Sequence, residues 1–66
     1  MDQIELQRAI EAILFAAGER VEVSRLAMTL EVDTDEIRSA ADALADELSF
    51  NRRGIRILHL DDGYQM

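Results

Sequence analysis

Four consecutive residues, Asp33-Thr34-Asp35-Glu36, make the densest run of oxygen ligands in the chain and pose the question of a bound cation. A calcium loop of the EF-hand type needs a further oxygen at its fifth position, glycine at the sixth and glutamate at the twelfth. Ile37, Arg38 and Leu44 stand at those places, so the cage is missing and capping of a following helix accounts for the cluster. His59 is the only histidine and there is no cysteine, which leaves a metal without a ligand set. Ser24 and Ser39 have no histidine at a spacing that would activate them, and lysine and cysteine nucleophiles are absent. The glycines number three and are scattered over turn positions, so no phosphate-cradling loop is present. The sequence therefore predicts no enzyme, no cofactor and no metal site.

The remaining chemistry is charge. All seven basic residues are arginines, against 14 acidic ones, for a net charge of −7. Such acidity argues against general affinity for nucleic acid or an anionic membrane surface. Arg52, Arg53 and Arg56 form the one basic cluster. They could touch DNA phosphates or a partner's acidic residues. Equally, arginines after a helix end complement its dipole and stay solvated.

A chain of 66 residues makes one small domain, residues 1–66, and domains of this size often lean on a metal, disulfides or a partner. Without cysteine or a metal site, association with another chain is the support left open. The longest uncharged apolar run, Ala12 to Ala17, is far too short to span a bilayer, and a soluble cytoplasmic protein is expected.

The elements that would position these residues follow from spacing. A first helix is expected over Gln3–Ala17, capped by Asp2 with Glu5 at capping-box spacing and closed by Gly18. Leu6, Ile10, Ile13, Leu14 and Ala17 share one face. Residues 19–23 alternate as a short extended segment, after which Ser24 would cap a brief second helix with Val23 and Met28 as a hydrophobic staple. A third helix starts at the Asp33 cap, with Glu36 as reciprocal partner and Val32 with Ile37 as staple. Its stripe is Ile37, Ala40, Ala41, Leu44, Ala45 and Leu48. Asn51 or Gly54 would turn the chain into a strand over Ile55–Leu60, with Asp61-Asp62-Gly63 as a hairpin turn, glycine at positive φ, and Tyr64 opening the return strand. This order predicts a mainly α fold with a small β wing: a winged helix-turn-helix of three helices plus a β-hairpin.

The third helix then occupies the place of a DNA-reading helix, and its charge is wrong for that role. Between Asp33 and Glu47 it carries Asp33, Asp35, Glu36, Asp42, Asp46 and Glu47 against Arg38 alone. Affinity for a duplex comes largely from neutralised phosphates, so such a surface is repelled. The acidic face either keeps an apolar-rich domain soluble or meets basic residues of a partner protein.

Two apolar surfaces exceed what one core needs. On the first helix Ile4 and Phe15 fall away from Ile10 and Leu14, beside Arg8, with Ala12 in a strip of small residues between them. This is either a subunit contact anchored by Phe15 or a tiny domain wrapping its first helix on several sides. In the wing strand, Arg56, Leu58 and Leu60 alternate against Ile55, Ile57 and His59, and both faces cannot easily be buried. Leu58 and Leu60 could lie against another chain or a downstream domain, while His59 is expected to be a partly exposed strand residue.

The run Ile10-Glu11-Ala12-Ile13-Leu14-Phe15-Ala16-Ala17-Gly18-Glu19 resembles the opening helix of the segregation and condensation protein B family. Leu26 and Ala27, Glu36-Ile37, Arg53-Gly54-Ile55-Arg56 and Gly63-Tyr64-Gln65 follow in the family's order, so the resemblance extends over essentially all 66 residues. It implies the amino-terminal one of two tandem winged-helix domains, here reaching only the start of its last strand. It also implies an accessory subunit of the bacterial SMC-kleisin complex that homodimerises through this domain and binds the central segment of the kleisin subunit ScpA. Through ScpA it would reach the SMC head domains and the nucleoid, serving chromosome condensation and partition in the cell cycle. Direct sequence-specific DNA binding is not expected. The competing reading is a DNA-binding winged-helix transcriptional regulator working through its wing arginines. One departure stands out: Glu31 occupies a turn position where the family and many helix-turn-helix units place glycine.

Overall fold

The computed structural model describes residues 2–51 and 56–66. Helix α1 covers Gln3–Ala17, with the Asp2 carboxylate accepting the Glu5 N–H at 2.8 Å. That bond holds the Asp2 carboxyl below the usual carboxylate range. Gly18 ends the helix in the left-handed region at φ 66°, and its N–H donates to the Leu14 carbonyl. Leu6, Ile10 and Leu14, one turn apart, are buried. Ile13 packs at the core's margin, and Ala17 is exposed rather than part of the buried stripe.

Strand β1 is Val21–Glu22 and runs without a break into helix α2, Val23–Leu30. The expected Ser24 cap is therefore wrong: Ser24 lies inside the helix, and the residue before the helix, Glu22, makes no side-chain capping bond. A tertiary bond replaces the cap, since the Val23 N–H donates to the Asp62 carbonyl at 2.7 Å. The Val23–Met28 staple also fails, because Val23 is core while Met28 stands out in solvent.

Helix α3, Thr34–Asn51, continues past Leu48, the last residue of its expected stripe, and ends at Asn51. Of its expected entry, the reciprocal Glu36 bond and the inward-facing Val32 and Ile37 are present. The Asp33 N–H donates to the Glu36 carboxylate at 3.4 Å, Ile37 is buried, and Val32 packs against the core. Ile37, Ala40, Ala41, Leu44 and Leu48 are all fully buried, the alanines allowing the other helices to come close.

Strands β2, Leu58–Leu60, and β3, Gly63–Gln65, complete a three-stranded antiparallel sheet in the order β1-β3-β2. The pairs are Val21 with Tyr64 and Glu22 with Gly63 on one side, and Leu58 with Gln65, His59 with Tyr64 and Leu60 with Gly63 on the other. The wing strand is shorter than the expected 55–60; Arg56 and Ile57 precede it, while Ile55 and Gly54 lie outside the described residues. The architecture is the winged helix-turn-helix the element order predicts, with the extended segment after α1 recruited as a third strand.

The hairpin turn corrects another expectation. The left-handed residue is Asp61, at φ 55°, and not Gly63. Glycine is required at 63 for space: a Cβ there would stand 2.8 Å from the Val21 carbonyl oxygen and equally close to the Arg20 Nε. One core, drawn from the three helices, β1, β3 and Ile57 just before β2, closes the domain, while β2 itself stays at the surface.

Glu31 does adopt the conformation its position demands of glycine, φ 56° and ψ 46°, and closes α2 with its N–H and that of Val32 both on the Ala27 carbonyl. A side chain in this region costs about 1 kcal/mol. Glu31→Gly is thus expected to stabilise the domain by roughly 0.5–1 kcal/mol, part of the gain being returned by the freer unfolded chain. Thermal and urea melts check this, and an unchanged or lower midpoint would remove strain at Glu31 from the account.

Candidate partner-binding surfaces

Helix α1 buries one face against α3, and that fixes which residues it turns outward. Ile4, Arg8, Ala12 and Phe15, at helical spacings of four, four and three, are all on the outer side, along a single strip. Ile4 and Phe15 leave 67% and 77% of their surface in solvent, far more than a domain wrapping its own helix would allow. Arg8 is braced between them. Its guanidinium donates to Glu11 at 2.9 Å and to Glu47 of α3 at 3.2 Å, which together raise its pKa above the ordinary arginine value. The strip is an apolar surface carrying one fixed cation.

The direction of α3 adds a residue that sequence spacing did not single out. Glu47 sits beside Arg8 near the start of α1, whereas Asp42 sits beside Tyr64, the strand neighbour of Val21 beyond the end of α1. Helix α3 thus runs back toward the start of α1, and Phe50, 88% exposed, lies at the end that carries Ile4. Two residues past Leu48 is the opposite side of a helix from the buried stripe, a signal that becomes readable once the helix is known to continue.

Leu58 and Leu60 form a separate patch on the outward face of β2, with 50% and 39% of their surfaces exposed. Cross-strand pairing decides the faces. His59 shares the inner face with buried Tyr64, their rings stacked at 4.6 Å between centroids, although the histidine keeps an exposed edge. Leu58, Leu60, Gly63 and Gln65 share the outer face. Arg20 lies close over Gly63, its Nε donating to the Leu60 carbonyl at 2.9 Å. Of the basic cluster, Arg56 is exposed, and Arg52 and Arg53 lie outside the described residues.

The acidic character of α3 survives folding. Asp33, Asp35, Glu36 and Asp46 remain on the surface, and Arg38 is shared loosely between Asp35 at 3.7 Å and Asp62 at 3.9 Å. Asp42 instead serves the fold, accepting the Tyr64 hydroxyl at 2.9 Å. Among the described residues no group of three histidine, cysteine, aspartate or glutamate side chains is placed to hold a metal, and no helix is long and apolar enough to cross a membrane.

A family model, segregation and condensation complex subunit ScpB, matches residues 8–66. The chain belongs to this family. It is 44% identical, over all 66 residues, to segregation and condensation protein B of Lachnoclostridium phytofermentans and 36% identical to that of Alkaliphilus oremlandii. It spans 35% and 36% of those two proteins, about a third of their length. Its fold matches a crystal structure of a dimer of the ScpB N-terminal domain complexed with a ScpA peptide, with a TM-score of 0.81 and 30% identity. That match covers 89% of this chain and 74% of the other. The ScpB family resemblance read from residues 10–19 and the winged-helix architecture are thereby both established.

Tyr64 offers a direct readout of the wing's attachment. Burial, then the hydrogen bond and charge of Asp42, push its pKa from 10.0 up to about 12, slightly opposed by Arg38. A raised acid pKa means the folded state favours the neutral phenol. The associated stability is therefore complete below pH 10 and is lost as the pH climbs toward 12. Tyr64 is the sole tyrosine, so ultraviolet titration reads it alone. The phenolate should appear only near pH 12, or together with alkaline unfolding, and a simple midpoint near 10 in the folded domain would contradict the buried arrangement.

Proposed function

We propose that this chain is a non-enzymatic accessory module of a bacterial SMC-kleisin complex, working in chromosome condensation and partition. It would be the amino-terminal winged-helix domain of a two-domain subunit. In this reading two copies associate through the outer strip of α1, with Phe15 and Ile4 as anchors, Ala12 permitting close approach and Arg8 fixing register. The pair then holds a segment of the kleisin ScpA near the SMC head domains, in the cytoplasm at the nucleoid. The observation that carries this is the likeness to a ScpB domain crystallised as a dimer with a ScpA peptide. The exposed apolar strip, which a lone domain has no use for, supports it.

The charge of α3 supports protein rather than DNA as the partner. Arg38 is the one basic residue of α3 and lies between two carboxylates, so the helix presents a duplex with a predominantly negative face. A DNA-binding regulator would instead show tight, steeply salt-dependent retardation of duplex DNA at low ionic strength, and that outcome would replace the present reading.

Sedimentation over a concentration series tests the dimer. Burying a phenylalanine contributes about 1.5–3 kcal/mol, and a symmetric contact loses two of them. Phe15→Asp should therefore weaken self-association by roughly a hundredfold or more, with the buried carboxylate adding to the loss. An unchanged molecular weight would exclude the α1 strip as the contact, since Phe15 is too exposed for the substitution to unfold the monomer.

A further inference from the structure

A groove of about 350 Å³ opens between the end of α1, β1 and α2, away from the α1 outer strip. Ile13, Ala17 and Val21 supply its apolar part, and Arg20, Arg25 and Glu19 its charged part. The volume is near the lower end of ligand pockets, roughly 300–1,000 Å³, which is room for one or two side chains of a docked segment.

Arg25 is the informative residue. It is exposed and makes no ion pair or hydrogen bond among the described residues, in a chain with twice as many acids as bases. It stands third in α2, Val23–Leu30, within the first turn, where the helix dipole is positive and a cation is disfavoured. Nothing local accounts for an arginine there. Arg20, beside it in the groove, is held by its Nε on the Leu60 carbonyl, and its only ion pair among the described residues is a loose one with Glu22 at 3.8 Å. One guanidinium is pre-positioned and the other unpartnered, both next to an apolar hollow. Carboxylates are the groups such donors hold best. A polyanion as large as a duplex would have to bring its charge against the acidic faces nearby, whereas a peptide can place one or two carboxylates locally.

We propose that this groove receives an acidic segment of a partner polypeptide, its carboxylates on Arg25 and Arg20 and an apolar side chain on Ile13, Ala17 and Val21. The assignment rests on the reading that the chain holds a kleisin segment, and adds where and by what chemistry it does so.

Calorimetric titration of the 66-residue chain with synthetic peptides tiling the central segment of the kleisin from the same genome tests it. Arg25→Glu and Ala17→Glu should each weaken binding of one acidic peptide by roughly tenfold or more. Arg38→Glu makes the same change in net charge as Arg25→Glu, away from the groove, and should alter affinity by less than about threefold, a rim-type effect. Replacing one peptide carboxylate by lysine should restore binding to the Arg25→Glu chain. Melting curves should show Arg25→Glu no less stable than the native chain, because it removes the conflict with the dipole. If the native chain binds a peptide and both groove variants bind it equally well, the groove is wrong while the kleisin reading stands. If the native chain binds none of the peptides, both are overturned.

Discussion

A buried aromatic hydroxyl must find a partner, and this domain is arranged around the one it has. Tyr64 is fully enclosed, and its hydroxyl donates to the Asp42 carboxylate of α3, which keeps one side in solvent. The same residue pairs with Val21 on one side and His59 on the other, and the histidine ring stacks on it. Beside it, Ile57 in the shared core and the loose Arg38–Asp62 pair also tie the wing to the helices. A hydrogen bond to a charged group contributes about 1.5–3 kcal/mol, a large share of what a domain this small holds in total. The negative charge of α3 is thus partly structural, since one of its carboxylates anchors the sheet.

That arrangement separates the molecule's surfaces by role. The inner face of α1 and the stripe of α3 make the core, leaving the outer strip of α1 free with Arg8 pinned in place by Glu11 and Glu47. An anchored cation between two exposed apolar residues loses less freedom on docking than a mobile one. The wing presents its leucines on a different side, and the groove beside β1 on a third. A domain of this size therefore has more than one surface on which a protein could settle.

Much of this was legible from residue spacing. Asp2 and Gly18 bracket α1, and the Val32–Ile37 staple and the Glu36 box residue open α3, because each is a local rule acting on near neighbours; the turn at Glu31 was marked instead by the family resemblance and the usual helix-turn-helix pattern. The failures are nonlocal. Ser24 lost its capping role to a backbone bond from Val23 to Asp62, residues far apart in sequence. Segment 21–22 is extended as expected, but its pairing with β3 was not legible, and Gly63 is needed for crowding from Arg20 and Val21 rather than for its own dihedrals. Asp42 reads as one more solvated acid until Tyr64 is placed. The α1 strip was visible on a helical wheel, whereas Phe50 required knowing that α3 continues past Leu48, and the Arg20–Arg25 groove required the tertiary structure.

The strand order carries a last consequence. Strand β3 lies in the middle and is paired on both sides, and both rims of the sheet are very short strands. One rim is two residues long, ends in Glu22 and turns at once into a helix; the other spans three. Neither is long enough to template a neighbouring chain through its backbone. A domain that leaves Ile4, Phe15 and Phe50 in solvent thus offers little backbone for strand-by-strand stacking, so any contact it makes is directed by side chains.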